Sequence, residues 1–440
     1  MRLFFTQSLK NISQMRSLRF IWRSILLIHH GINNLFLVLL SVIYMLILLS
    51  IYSFLRPKSG GYFVGIQEVC ENIHSTKFAL NSCGFDDVTS MAIVGHFDKE
   101  HAYDYIIQIP KWLNSYLNLK KYYTFYKTIF YLHKFLYEKE YFIFFWNRTF
   151  LTSNLDLILL KMLKKKVVLF HCGDDVRYRP IHNKLMEIQG VKYSFPDQKE
   201  AFSNLIFIQK LFYQKFPNYL NIPIYTLMDI ETFLDRGAYH FRVCQKDFLE
   251  PDNKKNNDIP VIAHAPSHRE IKGTQVVLDA IEILRDQKIN FNFLLLENKP
   301  NNEVIEILKK VDIVIDQPGL WPGRLAMEAM AHSCIVFGGV APSYENCNWN
   351  IPMLPFIKNA SQLAEELKKI LLSTNQQKYK SKSFEAYKSY YSSKEFVIQL
   401  NSVLSGNAPK ELFPHPNHKE KLLDAAENSF QRFMIRVFVK

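Results

Sequence analysis

The segment VDIVIDQPGLWPGRLAMEAMAHSCIVFGG, residues 311–339, contains the alternation that decides the fold. An apolar run of strand length ends at Asp316, a helical pattern covers about 322–331, and a second apolar run follows at 334–339. Strand, helix and strand in this order form a β-α-β unit, whose two strands lie parallel in one sheet. The segment therefore predicts an α/β fold in which ligands bind where the strands end.

The same alternation extends over two long parts of the chain. One series covers 258–405, and another covers 61–248, where YFIFFW (141–146) and KVVLF (166–170) flank a helical segment. The polar, turn-rich stretch LEPDNKKNND between the two series is typical of an inter-domain linker. We expect two Rossmann-like α/β domains that face each other across a cleft.

Other parts of the chain show helical patterns. Residues 66–81 predict a helix, and 111–138 predict a long aromatic helix whose lysines we interpret as a solvated face, with contact to a membrane surface as the alternative. The tail, 406–440, predicts an amphipathic helix that docks on the core, again with membrane contact as the alternative. Its apolar stripe consists of Leu422, Ala426, Phe430, Phe433 and Val437.

The N-terminal region has the features of a membrane anchor. The arm, 1–34, is basic, and the first acidic residue of the chain is Glu68. Residues 35–55 contain no charged side chain and are long enough to cross a bilayer as a helix. We expect a single transmembrane helix here; a buried core helix and a cleaved signal peptide are the alternatives.

The composition fits a folded protein of two or three domains. The 440 residues are 48% hydrophobic and include six cysteines without a C-x-x-C pair, which predicts mostly buried free thiols. The net charge of +13 allows a nucleic acid, an anionic membrane or an anionic substrate as partner. The chain has no zinc-finger spacing, basic zipper or RNA-binding aromatic signature, so we expect no nucleic-acid partner.

The loop HAPSHREIKGT, residues 264–274, concentrates positive charge at the end of a predicted strand. Arg269 offers a planar fork and Lys272 a mobile point charge, both suited to phosphate oxygens. Gly273 and Thr274 begin a helix whose first amides also favour an anion. The loop predicts a diphosphate site, and a basic surface loop with a helix cap is the alternative.

The segment quoted first supplies the other half of such a site. Gly323 lies at the helix start, where bare amides can face phosphate, and Glu328 follows within reach of the same edge of the sheet. A carboxylate there can accept hydrogen bonds from the two hydroxyls of a ribose. Glu328 on its own is an ordinary helix residue, so its predicted role depends on its spacing from Arg269 and Lys272.

These two segments resemble the donor half of GT-B fold glycosyltransferases, specifically the retaining enzymes grouped as family 4. The likeness is carried by the Arg-x-x-Lys-Gly loop and the Gly-x-x-x-x-Glu-Ala-Met-Ala helix, which occur in this order within 258–405. It implies a nucleotide-diphosphate-sugar donor, with Arg269 and Lys272 neutralising the leaving diphosphate and Glu328 holding the ribose. It also implies catalysis without a metal or other cofactor.

The N-terminal half resembles polysaccharide-building members in the segment VVLFHCGDDVRYRP. The resemblance implies that His171, Asp175 and Arg177 face the cleft from the acceptor side, together with Asn147 in the preceding loop. His171 is a candidate for a catalytic or acceptor-binding role, and a histidine that braces the loop is the alternative. The adjacent carboxylates Asp174 and Asp175 lack further ligands at metal-binding spacing, so no metal site is predicted.

The implied function is transfer of a sugar from a nucleotide-diphosphate sugar to a saccharide or lipid-linked saccharide. Leu320 stands where the family commonly has another Glu, and His332 and Ser333 stand where a Gly-containing turn is typical. These departures keep open the alternative of a non-catalytic binding subunit of a polysaccharide-assembly complex. A sugar-nucleotide epimerase on the same fold is a second alternative.

The location of the enzyme is the last prediction from the sequence. More basic residues precede the predicted span than follow it, which favours an inside N-terminus. Because bacterial sugar nucleotides are cytoplasmic, we nevertheless expect a membrane-bound enzyme whose catalytic domains face the cytoplasm, with a lumenal orientation as the alternative.

Overall fold

A computed structural model describes most of the chain. In it the apolar runs form the strands of two parallel sheets, and helices connect these strands. The described residues are 36–52, 60–93, 103–115, 117–151, 154–188, 203–226, 233–234, 238–240, 248–254, 257–318, 323–338, 359–408 and 418–439. The predictions for the arm 1–34, for the ends of the span at 35 and 53–55, and for Leu320 concern residues outside these ranges.

The first sheet contains seven parallel strands in the order β3-β2-β1-β4-β5-β6-β7. Their bounds are β1 Tyr62–Gln67, β2 Val88–Ile93, β3 Tyr105–Ile107, β4 Tyr141–Phe145, β5 Lys166–Phe170, β6 Ile224–Thr226 and β7 Tyr239–His240. Alternate side chains of the central strands enter two separate cores, Phe63 on one face and Val64 on the other. This double burial explains why the strands are uninterrupted apolar runs. The chain order reverses between β1 and β4, which makes that position the switch point of the sheet.

Helices cover both faces of this sheet. Their bounds are α1 36–52, α2 Asn72–Ser82, α3 Leu117–Glu138, α4 Asp156–Met162, α5 Arg179–Ile188 and α6 Ser203–Tyr219, and a 3₁₀ turn at Lys111–Ser115 precedes α3. Residues of α1, α3 and α4 pack on the face that contains Phe63, and residues of α2 pack on the opposite face. The layer order helix, sheet, helix is that of a Rossmann-like domain.

The second sheet has four described strands, all parallel, in the order β11-β10-β8-β9. The strands are β8 Val261–His264, β9 Asn292–Leu295, β10 Ile313–Ile315 and β11 Ile335–Phe337, and a 3₁₀ turn at Pro251–Asn253 precedes them. The helices are α7 Thr274–Asp286, α8 Asn301–Leu308, α9 Arg324–Ala331 and α10 Ala360–Leu371. Here the switch point lies between β8 and β10, so the loops that follow these two strands border one crevice.

The chain then returns to the first sheet. Two helices and a π-helical turn lead back to it, and two further helices follow: α11 Gln376–Ala386, the turn Tyr387–Tyr391, α12 Ser393–Leu404, α13 His418–Ala425 and α14 Ser429–Phe438. Residues of α12 share a core with the first sheet, and Tyr62 Oη in β1 donates to Asn401 Oδ1 at 2.7 Å. Residues of α13 and α14 pack on Tyr178 and Phe207.

The tail, predicted as one helix, forms the two helices α13 and α14. Asn428 separates them, because its side chain accepts a hydrogen bond from Gln431 N and starts a new helix. The predicted stripe is divided accordingly: Leu422 and Ala426 are buried, whereas Phe430, Phe433 and Val437 are exposed.

The predicted membrane span coincides with α1. Its buried residues are Leu37, Ser41, Met45, Leu48 and Tyr52. Tyr52 Oη donates to the carbonyl of His133 in α3 at 2.5 Å, so α1 is packed along α3. Among the described residues, none of the helices has both the length and the apolarity required to cross a bilayer. The described residues therefore give no support to the predicted transmembrane helix.

The helix predicted at 66–81 begins later than expected, at Asn72, because residues up to Gln67 form β1. Glu68 lies between the two elements and is 4% exposed. Its carboxylate accepts hydrogen bonds from the backbone amides of Ile73 and His74, both at 3.3 Å. These bonds stabilise the first turn of α2 and fix the loop at the end of β1.

Candidate functional site

The loop after β8 contains the predicted cationic residues and is held rigidly. His264 Nδ1 lies 2.7 Å from the Ile315 carbonyl in β10, and its Nε2 lies 3.0 Å from Thr274 Oγ1. This buried histidine ties both strands at the switch point to the start of α7. Gly273 precedes α7 with φ +63°, a conformation that suits glycine. The segment 264–274 thus also holds β8, β10 and the start of α7 together.

Lys272 points toward the N-terminus of α9. Its Nζ donates to Gln317 Oε1 at 2.6 Å and lies 3.8 Å from Asp316 Oδ1. A Cβ on Gly323 would lie only 3.2 Å from that Nζ, so glycine allows the ammonium to approach the helix end closely. Gly323 N donates to Asp316 Oδ2 at 2.5 Å. An ammonium beside a helix N-terminus can bind an anion such as a phosphate.

Glu328 lies one turn further along α9 and is 2% exposed. Its Oε1 accepts hydrogen bonds from Arg324 Nε at 2.8 Å and Asn301 Nδ2 at 3.0 Å. Oε2 accepts no hydrogen bond from the described residues. Burial raises the pKa of Glu328, although the charge of Arg324 opposes that shift. The carboxylate therefore keeps one oxygen for a ligand.

Arg324 connects the two domains and was not predicted from the sequence. Its guanidinium donates to Glu71 Oε2 at 3.0 Å, to Ser75 Oγ at 3.4 Å and to the carbonyl of Cys70. These residues lie after β1 and in α2 of the first domain. The same side chain thus contacts Glu328 in the second domain and the switch point of the first. In the sequence, only the spacing of four residues between Arg324 and Glu328 on a helix indicates that these two form an ion pair.

Arg269 is directed away from this cluster. Its guanidinium forms a bidentate pair with Glu297, the residue that follows the edge strand β9 by two positions, with both N–O distances at 2.6 Å. The side chain is 56% exposed. The structure therefore places Lys272 beside Gly323 at the start of α9, with Glu328 one turn further along the helix, whereas Arg269 binds Glu297 at the neighbouring edge of the sheet.

The switch point of the first domain lies at the ends of β1 and β4. Trp146 and Asn147 follow β4 with φ of 58° and 43°, and Arg148 Nη1 donates to Gln67 Oε1 at 2.8 Å. Asn147 is buried; its Oδ1 accepts from Asn154 Nδ2 at 2.9 Å, but its own Nδ2 has no partner among the described residues. Non-glycine residues seldom adopt the left-handed conformation, and here two do so in succession. Tertiary contacts must therefore hold this loop in its shape.

His171 follows β5 and is entirely buried. Its backbone amide donates to the Tyr225 carbonyl at 2.8 Å, but neither ring nitrogen has a hydrogen-bond partner among the described residues. Burial lowers its pKa to about 3, so the ring is neutral at physiological pH. A neutral imidazole can accept or donate one hydrogen bond at each nitrogen, according to its tautomer.

Asp175 and Arg177 hold the loop after β5. Asp175 accepts from Gly173 N at 2.7 Å and Cys172 N at 3.2 Å, and burial raises its pKa to about 7. Asp174 pairs with Arg177 at 3.1 Å and with Arg179. Burial would raise the pKa of Asp174, but its bonds to these arginines outweigh that effect and lower it. Asp175 and Arg177 thus shape the loop through contacts with other residues of the same loop.

Departures from the family pattern are accommodated at the end of α9. His332 Nδ1 lies 2.8 Å from the Glu328 carbonyl, and Ser333 Oγ donates to the Leu249 carbonyl at 2.6 Å. Ser333 has φ 54°, the conformation for which glycine is preferred. Neither side chain belongs to the cluster around Lys272.

No metal-binding group is found in the part of the chain that the structure describes: no three or more His, Cys, Asp or Glu side chains are arranged to hold an ion.

Comparison with known proteins identifies the fold. No family model and no curated protein matches the chain. Among solved structures, sucrose-phosphate synthase from Thermosynechococcus elongatus matches 80% of this chain and 99% of its own, with a TM-score of 0.52 and 12% identity. A glycosyltransferase from Rickettsia africae matches 80% of this chain and 100% of its own, with a TM-score of 0.46 and 13% identity. HepE from Anabaena in complex with UDP matches 79% of this chain and 100% of its own, with a TM-score of 0.44 and 11% identity. The chain has two parallel sheets and resembles sucrose-phosphate synthase in structure. These two findings confirm the predicted α/β fold of the GT-B type.

Proposed function

We propose that this protein is a glycosyltransferase that moves a sugar from a nucleotide-diphosphate sugar to a saccharide or lipid-linked saccharide. The observation that carries the proposal is the position of Lys272 beside the N-terminus of α9, at the switch point of the second sheet. The crevice outside such a switch point is where open α/β sheets bind ligands. The fold shared with sucrose-phosphate synthase fits this proposal.

In the proposed donor complex, the diphosphate lies against Lys272 and the first amides of α9. Breaking the bond between the sugar and the diphosphate adds negative charge to the leaving oxygen, and a fixed cation stabilises that charge. Gln317 and Asp316 hold the ammonium in place before the donor arrives. No metal is needed in this scheme, because the cation and the helix amides supply the positive charge.

The nucleoside is proposed to bind further along α9. Glu328 Oε2 is available for ribose hydroxyls, since Arg324 and Asn301 both bond to Oε1. Arg324 thereby orients the carboxylate and also links it to the first domain. Arg269 would reach the diphosphate only after leaving Glu297.

The acceptor is proposed to bind at the loops that follow β4 and β5. The ring of Trp146 lies 3.7 Å from where a Cβ of Gly173 would be, so the two loops touch. His171 and Asn147 belong to the same loops, but their unpartnered nitrogens are out of reach of solvent. Saccharides present apolar ring faces, which an indole can bind.

A donor-binding experiment tests the proposal. We would screen nucleotide sugars with mass detection of products, and then titrate the best donor into the wild type, Lys272→Ala and Glu328→Gln. Loss of the ammonium should weaken donor binding about 10- to 100-fold, the range for a charge-assisted hydrogen bond. Lys309→Ala, which removes a surface lysine paired with Glu306, is the matched control. Equal donor affinity in all four proteins would contradict the proposed site.

Product analysis separates the alternatives. A new glycosidic bond identifies a transferase, an isomerised donor identifies an epimerase, and donor binding without turnover identifies a binding subunit. Retention of anomeric configuration and activity in a metal chelator are further parts of the proposal. Membrane association with cytoplasm-facing domains also remains a prediction, which protease protection in sealed vesicles tests.

A further inference from the structure

The outer face of α1 is apolar and exposed. Large side chains on this face are between 38 and 59% exposed, and α1 contains no charged residue. They include Phe36, Leu39, Ile43, Leu46, Ile47 and Ile51. Folded proteins seldom leave so many large apolar residues of one helix in water unless another surface covers them.

The apolar face continues onto α3, which lies beside α1. Phe36 packs edge-on against Tyr122 with ring centroids 6.2 Å apart, and Tyr52 bonds to His133 near the other end. Tyr126 and Phe130 on the outer side of α3 are 69% and 65% exposed. Between the helices lies a groove of about 500 Å³ that Tyr126 and Phe130 help to line. The two helices form one apolar surface, which we call the α1–α3 face.

A row of lysines follows one edge of this face. Lys120, Lys127 and Lys134 are seven residues apart, so they lie on one line along α3. At one end of this line Lys134 borders the groove beside Phe130. The exposed Lys111 and Trp112 precede α3 at the same end as Lys120.

Little negative charge neutralises these lysines. In the described part of the chain, neither Lys111 nor Lys120 nor Lys127 forms an ion pair, and Glu138 is the only acidic residue within 111–138. Lys134 donates to the hydroxyl of Tyr105 at 2.5 Å, so it also keeps its charge without a carboxylate partner. The face thus combines aliphatic and aromatic side chains with a cationic edge.

We propose that the α1–α3 face docks on the surface of an anionic lipid bilayer, with α1 and α3 lying in its plane. The apolar side chains of α1 would enter the boundary between head groups and acyl chains, and the lysine row would lie among lipid phosphates. A neutral protein partner would match the apolar area but would leave the lysine row without counter-charges. This docking does not depend on the donor site, because it is measured without donor or acceptor.

Vesicle binding by the full chain tests the docking. Protein is sedimented with phosphatidylcholine vesicles and with vesicles that also contain phosphatidylglycerol, at low and high salt. The wild type should bind the anionic vesicles more strongly, and salt should weaken that binding. Replacing Lys111, Lys120 and Lys127 by Gln should reduce partitioning on the order of a hundredfold, since each lysine near an anionic surface contributes roughly fivefold.

The apolar part is tested by Ile43→Ser, Ile47→Ser and Phe130→Ser in one chain, which should lower partitioning at least about a hundredfold in both salts. All three side chains are exposed, so thermal unfolding should be unchanged. The control for the lysine variant replaces the exposed Lys378, Lys382 and Lys394 by Gln. The control for the apolar variant replaces the exposed Leu372 and Ile398 by Ser. These controls should bind like the wild type.

Two results would overturn the docking. One is equal sedimentation of the wild type and the apolar variant with anionic vesicles. The other is a dimer in light scattering that the apolar variant abolishes, without any vesicle binding by the wild type, which would assign the face to a second copy of the chain.

Discussion

The two switch points differ in how their polar groups are satisfied. In the second domain, Lys272 and Glu328 each have charged or amide partners. In the first domain, the ring nitrogens of His171 and the amide nitrogen of Asn147 have none among the described residues. Paired charges keep a site for a charged ligand in shape before the ligand binds. Neutral buried groups without a partner instead leave hydrogen-bonding capacity unused, which costs stability.

The largest effect should come from breaking the contact between these regions. Arg324→Met removes the partner of buried Glu328 and the bonds to Cys70, Glu71 and Ser75. An unpaired buried carboxylate is costly, so we expect the free energy of unfolding to fall by about 3–5 kcal/mol at pH 7. Denaturant unfolding followed by circular dichroism measures the change.

A surface arginine provides the control for this loss. Arg285 pairs with Glu282 on the exposed side of α7, and Arg285→Met should change the free energy of unfolding by less than about 1 kcal/mol. Adding Glu328→Gln to Arg324→Met should restore part of the lost stability, because it removes the unpaired charge. Equal losses in the two arginine variants would show that the domain contact is no stronger than a surface pair.

A smaller effect, on pH dependence, should distinguish the first switch point. The pKa of His171 is about 3 in the folded protein and about 6.5 when unfolded, so between these values only the unfolded chain binds the proton. Stability from this residue is therefore lost as pH falls. Relative to His171→Phe, the wild type should lose about 2 kcal/mol of unfolding free energy between pH 7 and pH 5.

Asp175 should act in the opposite direction. Its pKa is raised to about 7 by burial, so the folded protein binds a proton between about pH 4 and 7 that the unfolded chain does not. Relative to Asp175→Asn, the wild type should gain about 2 kcal/mol over the same pH interval. Urea unfolding at both pH values measures the two differences. Differences of the same sign would show that one of these groups is not buried as described.

The smallest effect concerns the pair that lies apart from both clusters. Glu297→Gln removes one charge from the bidentate pair and leaves Arg269 freer to reach a diphosphate. Donor affinity should rise, by no more than about fivefold, because the pair is exposed and weak. Titration calorimetry measures it, with Glu282→Gln as the control. A donor affinity that does not change would place Arg269 outside the donor site.

The sequence predicted the second domain better than the first. The helix expected to begin at Gly273 and Thr274 is found at Thr274–Asp286, and the helix expected at 322–331 is found at Arg324–Ala331. Clear helical periodicity and glycines mark where these helices start. Strand β1 was not predicted, although it is an inner strand of the first sheet. It is six residues long and contains Gly65, and the helix expected at 66–81 overlaps its last two residues.

The candidate site stays a prediction, and local patterns indicated only where its residues stand in the fold. Lys272, Gly323 and Glu328 could be expected at one edge of the sheet because helix periodicity and strand ends fix their positions. The contact of Arg324 with Glu71 depends on how two distant segments meet, which no local pattern contains. The burial of His171 could not be predicted either, since an apolar strand can end at a surface or inside a core.

The return of α12 to the first sheet has a consequence for biosynthesis. The side chain of Tyr62 in β1 bonds to Asn401, and Phe396 and Leu400 complete the core on that face. While the ribosome is still making the second domain, this face of the first lacks its cover. A nascent chain therefore exposes apolar side chains of the incomplete first domain until translation has passed residue 404. During that interval the exposed surface is a binding site for chaperones.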